Sequence, residues 1–201
     1  PATFESVLWK SDGTAAGTTV VKDPTAASHG AFIDELTNVN GTLFFAASDG
    51  IHGIELWKSD GTTAGTMMVR NIQTEDGSYP ASRPSDLTNV NGTLYFHAHD
   101  SEHGRELWKS DGTEEGTVLV KDIQSDISSS LQDVRELTNV DGTLFFITDN
   151  DVEGYDLWKS DGTASGTIFL HTFSDAQLHY VLGLTAANGE LYLREQRPPN
   201  L

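Results

Sequence analysis

Apolar and polar residues alternate along this chain in short runs cut off by Gly, Asn, Asp and Ser. "TLYFHAH" (Thr93–His99), "RELWKS" (Arg105–Ser110) and "VLVKDI" (Val118–Ile123) are typical. Runs of this length, rich in β-branched and aromatic residues, predict strands. No segment carries the 3.6-residue apolar period that would predict a helix. "DLTNV" (Asp86–Val90) is followed by Asn91 and Gly92, a strong hairpin signal because both positions tolerate positive φ. One unit therefore reads as four antiparallel strands A to D: "DLTNV", "TLYFHAH", "RELWKS" and "VLVKDI". The B–C loop is "DSEHG" and the C–D turn is "DGTEEGT".

The unit repeats. "ELWKSDGTTAGT" starts at Glu55 and "ELWKSDGTEEGT" at Glu106, with variants "VLWKSDGTAAGT" from Val7 and "DLWKSDGTASGT" from Asp156. The tryptophans Trp9, Trp57, Trp108 and Trp158 are spaced by 48, 51 and 50 residues. "LTNVNGTLFF" from Leu36 returns at Leu87, Leu137 and, as "LTAANGELYL", at Leu184, spaced by 51, 50 and 47. Four-stranded units repeated at this period predict the blades of a β-propeller. The chain opens inside a strand C ("FESVLWKS") and closes after strands A and B ("LTAANGELYLRE"), so the two ends together supply one blade. The expected fold is all-β: one domain over 1–201, a four-bladed propeller closed by pairing N-terminal with C-terminal strands. Its units are 1–35 with 183–201 as the composite blade, 36–86, 87–136 and 137–182. The runner-up is a larger ring, formed by two chains or by a longer repeat protein.

The repeated phrase reads as frame. On strand C, Leu56 and Trp57 point to opposite faces, and each packs on an adjacent blade. "SDGT" then makes a turn in which Asp accepts downstream backbone N–H groups and Gly takes positive φ. One carboxylate per copy is too few for calcium at the turn itself. The phrase resembles the ELWxxDGT repeat family, tandem repeats of large bacterial surface or secreted proteins. All four copies carry it, with Val7 and Asp156 departing from the leading Glu. The resemblance implies repeat architecture and an extracellular or cell-surface location, and assigns no activity.

Charge narrows the partners. Twelve basic residues stand against 30 acidic ones, a net −18, which repels phosphate backbones and anionic membranes. Nucleic acid is excluded, and no apolar run is long enough for membrane insertion. There is no cysteine, so disulfide and thiolate chemistry is excluded too.

Function is expected where the units differ. The A–B and C–D turns share one face and are monotonous; the B–C and D–A connections share the other and vary. The D–A connections carry Phe32, Tyr79, Arg83, His179 and Tyr180, with His29 and Arg135, as a candidate small-ligand or glycan site. The loop "DNDVEG" offers Asp149, Asp151 and Glu153 to calcium. His97 and His99 share one face of strand B, and His103 lies around the loop, a candidate transition-metal set. His103 recurs as His52, which suits a turn role. Asn38, Asn89 and Asn139 recur on strand A, facing either the channel or a neighbouring backbone. The leading reading is a non-enzymatic binding module for a glycan, small molecule or protein, monomer or dimer, with calcium or a transition metal as candidate cofactor. The alternatives are a metal-dependent hydrolase or lyase using His97, His99 and His103, and a structural spacer or adhesin segment. No nucleophile elbow, zinc-protease helix or phosphate loop is present.

Overall fold

A computed structural model describes residues 6–22, 32–74, 81–123, 134–150, 154–174 and 180–196. All its regular elements are strands: β1 (Leu8–Lys10), β2 (Thr19–Lys22), β3 (Ile33–Val39), β4 (Thr42–Ser48), β5 (Ile54–Ser59), β6 (Met67–Arg70), β7 (Ser85–Val90) and β8 (Thr93–Asp100). They continue as β9 (Gly104–Ser110), β10 (Val118–Lys121), β11 (Val134–Val140), β12 (Thr143–Asn150), β13 (Gly154–Ser160), β14 (Ile168–Ser174), β15 (Tyr180–Ala187) and β16 (Glu190–Gln196). They form three four-stranded antiparallel sheets, β3–β6, β7–β10 and β11–β14, flanked by two-stranded sheets β1–β2 and β15–β16. The A strands are innermost: β3 packs beside β7, β7 beside β11 and β11 beside β15. This is a propeller-like array of three complete blades and two half blades. Among the described residues, β1–β2 and β15–β16 are separate sheets, so the expected pairing of N-terminal with C-terminal strands is not among their contacts.

The turns follow from their residues. Asn40 and Gly41 both take positive φ (52° and 86°), as do Asn91–Gly92, Asp141–Gly142 and Asn188–Gly189, so strands A and B meet in tight hairpins. The "SDGTxxGT" turn closes on itself. Asp111 Oδ1 accepts the backbone N–H and the hydroxyl of Thr113; Thr113 Oγ1 accepts Gly116 N–H; Thr117 donates to Thr113 O. Ser110 Oγ accepts Gly112 N–H and bonds Thr117 Oγ1. The hydrogen bonds from Thr113 hold the Asp111 carboxyl below its ordinary range. The second glycine is required for a reason the sequence hides: a Cβ on Gly116 would overlap the Asp111 carboxylate.

The core is a series of slabs between blades. Leu56 packs toward the following blade with Val39, Phe44 and Val69, where it meets Leu94, Phe96 and Trp108. The same arrangement recurs one blade on, with Leu107, Tyr95, Val120, Phe146 and Trp158. Leu and Trp of the phrase thus serve opposite slabs, as alternation requires. Burying each such side chain contributes roughly 1.5–3 kcal/mol.

The polar residues of the phrase also work between blades. Lys10, Lys58 and Lys109 each donate to the turn-glycine carbonyl of the next blade, Gly61, Gly112 and Gly162, at 2.7–2.8 Å. Lys22, Arg70 and Lys121 donate to Thr66, Thr117 and Thr167 carbonyls while lying over Trp57, Trp108 and Trp158. On strand A, Asn89 donates to Asn38 O and Asn139 to Asn89 O. Of the two orientations left open for these asparagines, the structure selects the neighbouring backbone.

Candidate functional site at the axis

Each A strand is broken by a bulge near its start, at Glu35, Asp86, Glu136 and Gly183. All four take positive φ (60°, 53°, 59° and 69°), a conformation that glycine adopts freely and a carboxylate residue only when its surroundings hold it. The next blade does so. Glu35 Oε2 accepts Leu87 N–H at 3.4 Å, Asp86 Oδ2 accepts Glu136 N–H at 2.8 Å, and Glu136 Oε2 accepts Leu184 N–H at 3.2 Å. Thr37, Thr88 and Thr138 add hydroxyl bonds to Leu87, Leu137 and Leu184 carbonyls.

The three carboxylates line a cleft of about 470 Å3 at the start of the A strands, with Thr88, Thr138 and Arg135 beside them and Leu87, Leu137 and Leu184 behind. That is a ligand-sized volume. Arg135 is fixed from outside the cleft: it donates to Asp149 Oδ2 at 2.8 Å, and its guanidinium lies 5.6 Å from the Tyr155 ring. Each carboxylate commits one oxygen to a backbone N–H, so acceptor capacity remains on the other.

Asp86 is held from the far side as well. His97 Nε2 lies 3.2 Å from Asp86 Oδ2, and Arg105 Nε donates to His97 Nδ1 at 2.9 Å. Arg105 also bonds Ser85 Oγ, which lies 3.2 Å from His97 Nε2. Burial pushes the Asp86 carboxyl up, but the hydrogen bond and charge of His97, the Glu136 amide and the Arg105 charge together hold it below its ordinary range. Because Arg105 donates to Nδ1, the His97 proton sits on Nε2, facing Asp86.

Of the histidines expected as a metal set, His97 and His103 are engaged by protein groups instead. Both nitrogens of buried His97 are engaged, so neither offers a lone pair to a cation. His99 is exposed, and His103 Nδ1 faces Asp100 at 2.9 Å inside its own loop. That bond lifts the His103 imidazole above its ordinary range, and Asp49 and His52 form the same pair at 2.7 Å in the blade before. The turn role suggested by the recurrence is what the geometry shows. Among the described residues, no group of three or more His, Asp or Glu is gathered as a metal site. Asp149 is paired with Arg135, while Asp151 and Glu153 lie outside the described residues.

The ligand residues expected on the D–A connections are placed differently too. Phe32 is exposed and bonds Ser48 through its carbonyl. Arg83, at positive φ, is exposed and joined by its backbone to Ile54. Neither lines the cleft. Tyr180 begins β15, opposite Gln196. Tyr79, His179 and His29 lie outside the described residues. Of the expected residues Arg135 does line the cleft, but its carboxylates were missed, although a signal existed. One position before each "LT" reads Glu35, Asp86, Glu136, then Gly183; a glycine replacing an acid marks a positive-φ site.

No family model matches the chain, and no curated protein is similar to it. Among solved structures, one from an analysis of two prolyl endopeptidases and their inter-domain dynamics is similar at TM-score 0.54 and 12% identity, over 90% of this chain and 25% of that one. An α-L-arabinofuranosidase from Clostridium thermocellum is similar at TM-score 0.38 and 13% identity, over 88% of this chain and 66% of that one. The chain thus spans a quarter of the prolyl endopeptidase's length, and at this identity the likeness concerns the fold alone.

Proposed function

We propose that this chain is a non-enzymatic binding module whose ligand site is the axial cleft. The ligand class that fits is a small polyol of the glycan type, carrying several hydroxyl donors. The observation that carries this is the convergence of Glu35, Asp86 and Glu136 beside Arg135 in one ligand-sized cleft. Their spare oxygens accept hydroxyl donors, and charged acceptors make the stronger hydrogen bonds. Ring closure belongs to the same reading: β15–β16 supplies strands A and B, and β1–β2 supplies C and D, of a composite blade. So does the exported location that the ELWxxDGT resemblance implies.

The test is calorimetric titration with a panel of neutral oligosaccharides. Binding is expected, weakened at least about tenfold in Glu136→Gln, which keeps an oxygen for Leu184 N–H but loses the charge. Absence of binding across the panel, with the protein folded, would favour the spacer reading. Binding indifferent to Glu136→Gln and Glu35→Gln would move the site away from the axis.

A further inference from the structure

The two interfaces between complete blades share one recipe, and the two ends of the array hold its separated halves. A complete interface needs a strand-C lysine reaching a turn-glycine carbonyl, a strand-D apolar residue packed on the next tryptophan, and a strand-B aromatic ring over the next turn. At the C-terminal end, Lys159, Leu170 and Phe145 occupy the giving positions. At the N-terminal end, Gly13, Trp9 and its turn occupy the receiving ones. Leu170 is 40% exposed where Val69 and Val120, its counterparts, are buried. Trp9 is 56% exposed where Trp57 and Trp108 are buried.

The second mismatch concerns the half blades. Among the described residues, strand β1 has only β2 beside it, and β16 only β15. A small apolar gap lies beside Leu8, Phe45 and Trp57. One blade on, the matching positions Phe96 and Trp108 are covered by Val39 and Phe44 of the preceding blade. The counterpart of Phe44 in the last half blade is Tyr192, which is 50% exposed.

We infer that these halves join in trans: β16 of one copy pairs antiparallel with β1 of a second copy. The register follows the built blades. Phe44 opposes Lys58 and Phe45 opposes Trp57, so Tyr192 opposes Lys10 and Leu193 opposes Trp9 of the other copy. Lys159 then donates to the second copy's Gly13 carbonyl, and Tyr192 enters the gap beside Phe45 and Trp57. A second copy is the occupant because the surface continues an interface this chain already builds twice in full, and because, among the described residues, β1 and β16 of one copy do not pair. The contact is head to tail, so made twice it closes a two-fold ring. The ring then holds six complete and two composite blades, at the upper end of the usual range for propellers of four to eight. This goes beyond the binding reading and does not depend on it.

Light scattering on the whole chain reads the mass, expected at twice the 21.8 kDa of one copy. Cysteine pairing then reports who closes whom, since the chain has no cysteine of its own. Directly opposed residues on antiparallel strands lie within disulfide range. Lys10→Cys and Tyr192→Cys are made in separate chains and mixed under oxidising conditions. A covalent Lys10→Cys/Tyr192→Cys heterodimer, absent when either chain is oxidised alone, supports the proposal. A monomer that cyclises internally when both substitutions share one chain overturns it, because the ring then closes within one copy. A single-copy mass with no crosslink in either arrangement also overturns it. Leu193→Pro, which removes an edge-strand N–H, should abolish dimer mass while leaving the β-sheet circular dichroism unchanged.

Discussion

Trp108 and Trp9 occupy the same place in the same phrase, yet Trp108 is 5% exposed and Trp9 is 56% exposed. The phrase around them folds alike: Asp12 and Asp111 accept the same bonds from Thr14 and Thr113. What differs is the neighbour. Arg70 and Val69 of the preceding blade cover Trp108, whereas among the described residues of one chain no preceding blade stands against Trp9. Local structure in this protein is set by each repeat, and burial is set between repeats. That is the behaviour of a repeat array whose stability is a sum of units and interfaces. The sharpest break of the comparison is truncation. Trp108→Ala should cost about 3–5 kcal/mol by urea unfolding, the range for a buried tryptophan. Trp9→Ala in dilute, single-chain solution should cost under about 1 kcal/mol. Equal losses would mean that both ends of the array are covered.

The leading Glu of the phrase separates the blades next. Glu55 is fully buried, and its oxygens accept Ser82 N–H and Ile72 N–H at 3.0 Å and the Ser82 hydroxyl at 2.6 Å. It ties the two ends of one D–A connection to strand C. Asp156 holds the matching place half-buried, bonded to Thr172, and Val7 has no carboxylate at all. Glu55→Ala leaves three donors unmatched and should cost about 2–3 kcal/mol, with Asp156→Ala costing less. Burial lifts the Glu55 carboxyl above the ordinary 4.5, against the opposing bonds from Ser82 and Ile72. The native state therefore keeps a proton that the unfolded chain has released. Stability should fall as pH rises from about 4.5 through the raised value, and Glu55→Gln should remove that slope. Asp86 has the opposite sign: its carboxyl is held below 3.8, so its contribution is present above that pH and lost as pH falls through the lowered value.

Much of this frame was legible in the sequence, for a physical reason. Asn-Gly and Asp-Gly dictate turns locally, and the alternation of Leu56 and Trp57 dictates their opposite faces. Neither depends on distant residues. The axial cleft was legible only in Arg135 and in the acid-to-glycine exchange before each "LT", because its carboxylates act across blades. Glu35 and Asp86 adopt a rare conformation only because Leu87 and Glu136 of the following blade present N–H groups to them. The histidines misled for the same reason. His97 and His99 share a face by spacing, but Arg105 and Asp86 claim His97 from neighbouring strands, and spacing along β8 says nothing of them.

The two glycines of one turn make a finer contrast. Gly112 is needed for its φ of 89°, and Gly116 for the Asp111 carboxylate lying against it. Gly116→Ala should cost about 2 kcal/mol, largely relieved in the Asp111→Ala background, where the obstruction is gone. Gly112→Ala should cost about 1–2 kcal/mol whether or not Asp111 is present, because its strain lies in the backbone and against the Phe44 ring rather than against the carboxylate. A double-mutant cycle by thermal unfolding reads both. Coupling at Gly112 equal to that at Gly116 would show that the carboxylate, not φ, governs the whole turn.

The smallest contrast lies between the half-buried indole of Trp158 and the buried ones of Trp57 and Trp108. Trp158 Nε1 donates to Thr148 Oγ1 at 3.1 Å, whereas the N–H groups of Trp57 and Trp108 are buried without a hydrogen-bond partner among the described residues. The place of Thr148 is taken by Ala47 and Ala98 in the other two blades, opposite Glu55 and Glu106 as Thr148 is opposite Asp156. Thr148 is itself buried, so its hydroxyl is the acceptor that solvent would otherwise supply. Thr148→Val exchanges that hydroxyl for a methyl of nearly equal volume and should cost about 1 kcal/mol by urea unfolding. The loss should come with a shift of Trp158 fluorescence, since the indole ring loses its bond while staying packed against Phe146. If Thr148→Val is neutral, a buried indole N–H costs this fold nothing to leave unpaired. The third blade would then owe its distinct residue to something other than hydrogen bonding. If it costs the expected amount, the first two blades carry that cost already, and Ala98→Thr should recover part of it beside Trp108.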